Sequence, residues 1–198
     1  MNRLAVFALF LLVACDEKPA DPNRLQLSKQ PISVRGWITD VGDAPAGDTF
    51  RTVETEAARR IGLFQQTNVW VENAPYVSGG VAETGAYILL DVPPGDVTVS
   101  FTAPGAENAQ LKMSGIPGSA DVLIPEMLLK PGTAELLRPD LVRVRIAARI
   151  DKPRPTGRNA TIAGRAIPII EVPLKEMMDR RDWPTPPGMG QAPVATVK

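Results

Sequence analysis

The chain contains no histidine, and that absence excludes more chemistry than any residue present supplies. Ser-His-Asp and Cys-His nucleophilic systems, HExxH zinc proteases and carboxylate–histidine iron sites all need imidazole as base or ligand. The acid–base groups left are carboxylates, lysines and two tyrosines. Aromatic residues are scarce, at 5% of 198. Charge is balanced, with 22 basic against 22 acidic residues, so no basic excess points to nucleic acid as a partner. One cysteine, Cys15, cannot form an internal disulfide. The apolar run at residues 4–13 is too short to span a bilayer as a helix. These absences favour a protein that binds rather than catalyses.

What is present begins with a cationic Arg3, the apolar run, and then Leu12-Val13-Ala14-Cys15. A positive start, a short apolar core and a small residue at the end make an export signal. The small-residue–cysteine junction resembles the lipobox of bacterial lipoproteins. That resemblance implies cleavage before Cys15, diacylglycerol on its sulfur and an acyl group on the new amino terminus. The plainer alternative is an ordinary secretory signal. Each buried lipid methylene contributes about 0.8 kcal/mol and one chain holds only marginally, so two or three chains on Cys15 would give a lasting anchor. Asp16 resembles the inner-membrane retention signal of enteric lipoproteins, a weak lean within an envelope location.

The divisions expected are a signal at 1–14, a lipidated cysteine and flexible tether at 15–30, a β-domain at 31–130, an added hairpin at 131–172, and a short helix with a Pro-rich tail at 173–198. From Pro31 the pattern is strand after strand. Ile32, Val34 and Ile38 alternate with polar neighbours, as do Val69 and Val71, then Val97, Val99 and Phe101, then Val142, Val144 and Ile146. Period-two alternation with one apolar face is what a half-buried strand requires. Turn signals at Ser78-Gly79-Gly80, Pro93-Pro94-Gly95, Ala103-Pro104-Gly105, Ile116-Pro117-Gly118 and Lys130-Pro131-Gly132 separate the runs. The class predicted is all-β, an antiparallel β-sandwich. Residues 52–61 break the pattern with Val53, Ala57 and Ile61 on one helical face, acids near the start, Arg59 and Arg60 near the end, and Gly62 as a stop. A second short helix is predicted at 174–181, after Pro173. In the added hairpin, residues 141–150 are expected to pair with 160–170.

Thr84-Gly85-Ala86-Tyr87-Ile88-Leu89-Leu90-Asp91-Val92-Pro93-Pro94-Gly95 resembles the signature of carboxypeptidase regulatory-like domains, a transthyretin-related sandwich. Asn68-Val69-Trp70-Val71 is similar to that family's V-x-V strand, and Arg35-Gly36-Trp37-Ile38-Thr39-Asp40 to its opening strand. The likeness covers about a third of the chain and implies a fold, not an activity. It makes Gly85 and Gly95 turn residues. Related folds that act as hydroxyisourate hydrolases or intradiol dioxygenases use histidine, which this chain lacks. Collagen-adhesin repeats place an isopeptide lysine on the first strand, where Arg35 stands here.

Candidate sites follow from residue type. Trp37 and Trp70 have the parity opposite to the apolar residues of their strands, so with Tyr76 they are candidate stacking residues for a sugar or a protein partner. The competing account is that the helix at 52–61 buries the tryptophans. Arg143, Arg145, Arg149 and Arg165 form a candidate stripe for an anionic partner, against the alternative of a charge-protected sheet edge. Asp40, Asp43 and Asp48 do not have the spacing of a calcium loop. Asn159-Ala160-Thr161 has the form of a glycosylation sequon, which a bacterial export signal makes a chance match. The expectation is a lipid-anchored, non-catalytic envelope protein with no cofactor and no metal. Its partners would be membrane lipid through the Cys15 acyl chains and an envelope protein or glycan. Carbohydrate recognition through Trp37, Trp70 and Tyr76 is the alternative. An enzyme resting on Glu72, Glu83 or Asp91 comes last, because no paired arrangement of carboxylates is visible.

Overall fold

The computed structural model describes residues 30–42 and 53–178. The expectations concerning residues 1–29 with Cys15, Asp43, Asp48, Thr52 and everything from residue 179 on, Trp183 included, lie outside the described residues. Alternating apolar residues build β1 (Ile32–Val41), β2 (Asn68–Val71), β3 (Ala74–Gly80), β4 (Ala86–Val92), β5 (Gly95–Ala103) and β6 (Ala106–Ile116). The chain continues through β7 (Ala120–Lys130), β8 (Thr133–Leu136), a 3₁₀ turn at Pro139–Leu141, β9 (Arg143–Ala148), β10 (Arg154–Ile162) and β11 (Arg165–Pro173). Two helices, α1 (Val53–Gln65) and α2 (Leu174–Met178), complete it. The class is all-β, as the alternation requires.

The strands form one sheet in the order β3-β2-β5-β6-β10-β11-β9-β7-β1-β4, with β8 paired to the second half of β7. The strands at the two ends of that path, β3 and β4, are consecutive in the chain and lie close together, so the sheet curls until it is nearly closed. The pairing is mixed rather than purely antiparallel. β1 runs parallel to β7, and β11 runs parallel to β9.

Two expectations of connectivity are corrected here. Residues 141–150 do not form a hairpin with 160–170, because β9 lies parallel to β11 and antiparallel to β7. The actual hairpin is β10–β11, closed by Ala163 and Gly164 with φ of +47° and +75°. Two successive positive φ values make a type I′ turn, whose twist suits adjacent antiparallel strands. Nor is this C-terminal part an addition packed on a finished sandwich. β10, β11 and β9 fill the gap between β6 and β7, and one core runs from Ile32 on β1 to Ile169 on β11. The Pro-Pro-Gly turn carries the chain from β4 to β5, which are not hydrogen-bonded neighbours.

The core centres on fully buried side chains such as Phe101, Leu111, Ile124 and Met127. Phe101 meets Tyr87 edge-to-face, with ring centres 5.3 Å apart and planes at 79°, the geometry aromatic quadrupoles favour. The Tyr87 ring lies over its cross-strand partner Gly36, where a Cβ would come within 2.5 Å of the phenol oxygen. Glycine is required there because the ring needs its space.

Helix α1 runs past Gly62, the expected stop, to Gln65. A glycine inside a helix costs about 1 kcal/mol, and the burial of Phe64 in the core offsets it. Thr67 then closes the helix, its Oγ1 donating to the Leu63 carbonyl at 2.8 Å and its N–H to that of Phe64 at 3.0 Å. As a result Arg59 and Arg60 sit mid-helix, and the last turn carries no basic residue.

Candidate functional site

Successive outward-facing residues on β2, β5 and β6 build a polar surface on the side of the sheet away from the core. Trp70 pairs with Ser78 on β3 and with Ser100 on β5, and Ser100 in turn pairs with Gln110 on β6. One step along, the Glu72 N–H donates to the Thr98 carbonyl, and Thr98 pairs with Lys112. Further along still, Ser114 pairs with Thr161 of β10. β10 touches β6 through only two registered pairs before it diverges, with Gly157 at φ +75° and a bulge between Pro155 and Asn159. A cleft of about 510 Å³ lies over the paired stretch, lined by Glu72, Asp96, Thr98, Lys112, Ser114 and Thr161 among others.

The polar groups of this cleft are held in place. Glu72 Oε1 accepts from Ser100 Oγ at 2.6 Å and from Gln110 Nε2 at 3.4 Å. Asp96 Oδ1 accepts from the Gly115 N–H at 3.1 Å, and its carbonyl accepts from Asn73 Nδ2 at 3.3 Å. Among the described residues Lys112 makes no ion pair. Such an arrangement presents fixed acceptors, one mobile cationic donor and three hydroxyls to a ligand.

The candidate aromatics divide. Trp70 is half-buried and Tyr76 is 78% exposed. Tyr76 lies between Ala74 and Ser78, where the register of β3 against β2 shifts, so alternation does not tie it to Trp70's face. Trp37 is corrected as a stacking candidate: it is only 2% exposed, and it sits on β1 beside Ala86 of β4. A ring buried to that extent has no face to offer a ligand.

The arginine stripe is also not continuous. Arg145 faces Asp121 across the β7–β9 ladder, and the Asp121 carboxylate is already engaged by Arg35 and by Ser33 Oγ at 2.7 Å. Arg143 donates to the carbonyls of Asp140 and Val142. Arg149 falls beyond the end of β9. Arg165 has the parity of Ile167 and Ile169, opposite to that of Ile170, which pairs with Arg145. Registry therefore brings Arg143 and Arg145 together and leaves Arg165 on the other side of its strand.

Asp40 forms ion pairs with Arg59 at 2.8 Å and with Arg60 at 3.5 Å, and Glu56 bonds both arginines. This cluster ties α1 to β1. The Arg59 guanidinium holds the Glu56 carboxyl down at about 2, and the carboxylates hold Arg59 firmly charged. The three carboxylates considered for catalysis do not converge. Glu72 is in the cleft, Glu83 accepts from Gln65 of α1 at 3.1 Å, and Asp91 sits exposed near the end of β4 with φ of +59°. Asn159 lies within β10, and Thr161 of the same triplet lines the cleft.

Sequence reasoning passed over Lys112, Asp96, Thr98, Ser114 and Thr161. The signal for two of them was present: Ala109-Gln110-Leu111-Lys112-Met113-Ser114 alternates cleanly between buried and outward positions. Comparison of the chain with known proteins finds no matching family model and no matching curated relative. Among the described residues no helix is long and apolar enough to cross a membrane.

Proposed function

We propose that this chain is a lipid-anchored, non-catalytic binding domain of the bacterial cell envelope, built on a β-sandwich of the carboxypeptidase regulatory-like, transthyretin-related kind. The observation that carries the reading is Leu12-Val13-Ala14-Cys15 at the end of a short apolar run behind Arg3. The domain sits at the membrane surface on its tether, on the periplasmic side in a cell with two membranes, and the Asp16 signal leans to the inner one. The family assignment is supported by the motif glycines: Gly85 has φ +79° and Gly95 has φ +102°, as the turns of the signature need. The binding role is supported by a cleft with oriented polar groups.

The test is expression of the full chain in a bacterium, followed by membrane fractionation and mass spectrometry. The expected result is a mature protein in the membrane fraction whose first residue is an acylated Cys15. Cys15→Ser should release it to the soluble fraction. An unmodified Cys15, or a Cys15→Ser form that stays with the membrane, would overturn the anchor.

A further inference from the structure

We propose that the outer face of β1, β7 and β9 docks on a surface of anionic phospholipid, with Arg143 and Arg145 as its phosphate contacts. The proposal rests on the lipid-anchor reading for how this face reaches a membrane, but not for the charge of the face itself. Two rungs of the sheet define it, and no register shift interrupts either. In the first, Ile88 on β4 pairs with Arg35 on β1, Arg35 with Leu123 on β7, and Leu123 with Arg143 on β9. In the second, Ser33 pairs with Asp121, Asp121 with Arg145, and Arg145 with Ile170 on β11. The rung between them, Leu89, Val34, Val122 and Val144, is buried in the core, so alternation turns both charged rungs outward.

The described protein leaves this face with cations it does not balance. Asp121 is the one acid in the two rungs, and Arg35 already donates Nε–H to its Oδ1 at 2.9 Å and Nη2–H to its Oδ2. Among the described residues Arg145 makes no hydrogen bond and no ion pair, although it is half-buried. Arg143 donates to two neutral carbonyls, and the nearby Asp140 carboxylate is held by Arg138 at 3.2 Å. A guanidinium that has lost part of its hydration without gaining a counter-ion favours an anion from outside, and its planar fork fits two phosphate oxygens. Aliphatic side chains interleave the charges: Leu123 lies between Arg35 and Arg143, and Ile88, 46% exposed, borders them on β4. A broad face of guanidinium and aliphatic groups suits headgroups above acyl chains better than it suits one small anion. The tether favours lipid over an acidic protein. β1 begins at Ile32, so Ser33 and Arg35 are among the first residues after it, and the Ser119 N–H holds the Gln30 carbonyl at 3.3 Å beside them. A chain from an acylated Cys15 to Gln30 spans at most about 50 Å, which keeps the bilayer at high effective concentration next to this face.

Ile88→Cys carrying a nitrobenzoxadiazole dye reports docking, because an acylated Cys15 leaves the new thiol as the one that reacts. The full chain is reconstituted in phosphatidylcholine vesicles with and without phosphatidylglycerol. Emission should shift to the blue and be quenched by spin-labelled lipid only where phosphatidylglycerol is present, and about 1 M salt should reverse both. Arg143→Gln with Arg145→Gln should lower the ratio of docked to free domain about thirtyfold, and Arg145→Gln alone, which decides if the double variant does not fold, about fivefold. Arg165→Gln, on the other side of its strand, should change nothing. Equal quenching without phosphatidylglycerol, or unchanged docking in Arg145→Gln, would overturn the proposal. So would a dye that responds to octaglutamate or inorganic phosphate in solution but not to the anionic vesicles, which assigns the face to an acidic protein segment or a free anion. In Cys15→Ser the new thiol is again alone, and that chain, added from solution, should keep the preference for phosphatidylglycerol. An unmodified Cys15 with the preference retained refutes the anchor alone, and an acylated Cys15 without it refutes the docking face alone.

Discussion

Replacing Gly85 by alanine tests how the turn before β4 is locked against β1. Gly85 has φ +79°, and its carbonyl accepts the Ile38 N–H at 2.8 Å. A Cβ at this position would stand 2.1 Å from the Ile38 carbonyl oxygen and 3.3 Å from the Phe64 ring. Ordinary carbon–oxygen approach stops at about 3.3 Å. Relief therefore means moving backbone, and β1 is fixed on both sides by β4 and β7. The left-handed conformation alone costs a non-glycine residue about 1–2 kcal/mol, and forced overpacking adds about 1–3 kcal/mol. Gly132→Ala is the matched control: its φ is +76°, but nothing lies within 4 Å of the added Cβ. Urea unfolding of both variants, with the slope unchanged, should give a loss of about 2–5 kcal/mol for Gly85→Ala. The control should lose about 1–2 kcal/mol. Equal losses in the two variants would refute the collision and with it the assigned docking of this turn on Ile38.

Tyr87→Phe should leave stability unchanged or raise it by about 1 kcal/mol, because the buried phenol oxygen has no hydrogen-bond partner and its removal relieves a desolvation cost; a clear loss in thermal unfolding would show that the hydroxyl is bonded. The pH dependence of α1 docking follows from Glu56. Its carboxyl lies at about 2 in the folded protein against 4.5 as its ordinary value, so the stabilisation is complete above about 4.5 and is lost as pH falls toward 2. Amide exchange of α1 should quicken across that window, and Glu56→Gln should abolish the effect while leaving exchange near neutrality slightly faster than in the parent chain.

Much of the fold was legible in local pattern. The alternations at Ile32–Val34, Val69–Val71, Val97–Phe101 and Val142–Ile146 each became a strand with the apolar residues inward, because a side-chain period of two depends only on the chain's own pleat. The motif glycines became positive-φ turns for the same local reason. The cleft was legible only in pieces: Glu72 by residue type, and Lys112 not at all.

By itself, the sequence determined what chemistry is unavailable, since no histidine exists to be brought anywhere. It also determined which residues of each strand face in and which face out. Tertiary structure alone decided which strands are neighbours. That β9 joins β11 in parallel rather than as a hairpin, and that β10 is inserted beside β6, follows from non-local pairing that closes the sheet around one core. Alternation is blind to such pairing because any strand with the right parity satisfies it. The same blindness explains the tryptophans: Trp37 and Trp70 have equivalent parity in the sequence, yet the surroundings of each bury one and leave the other half-buried. Lys112 comes to face Glu72 across Thr98, 40 residues along the chain, only because β5 lies between β2 and β6.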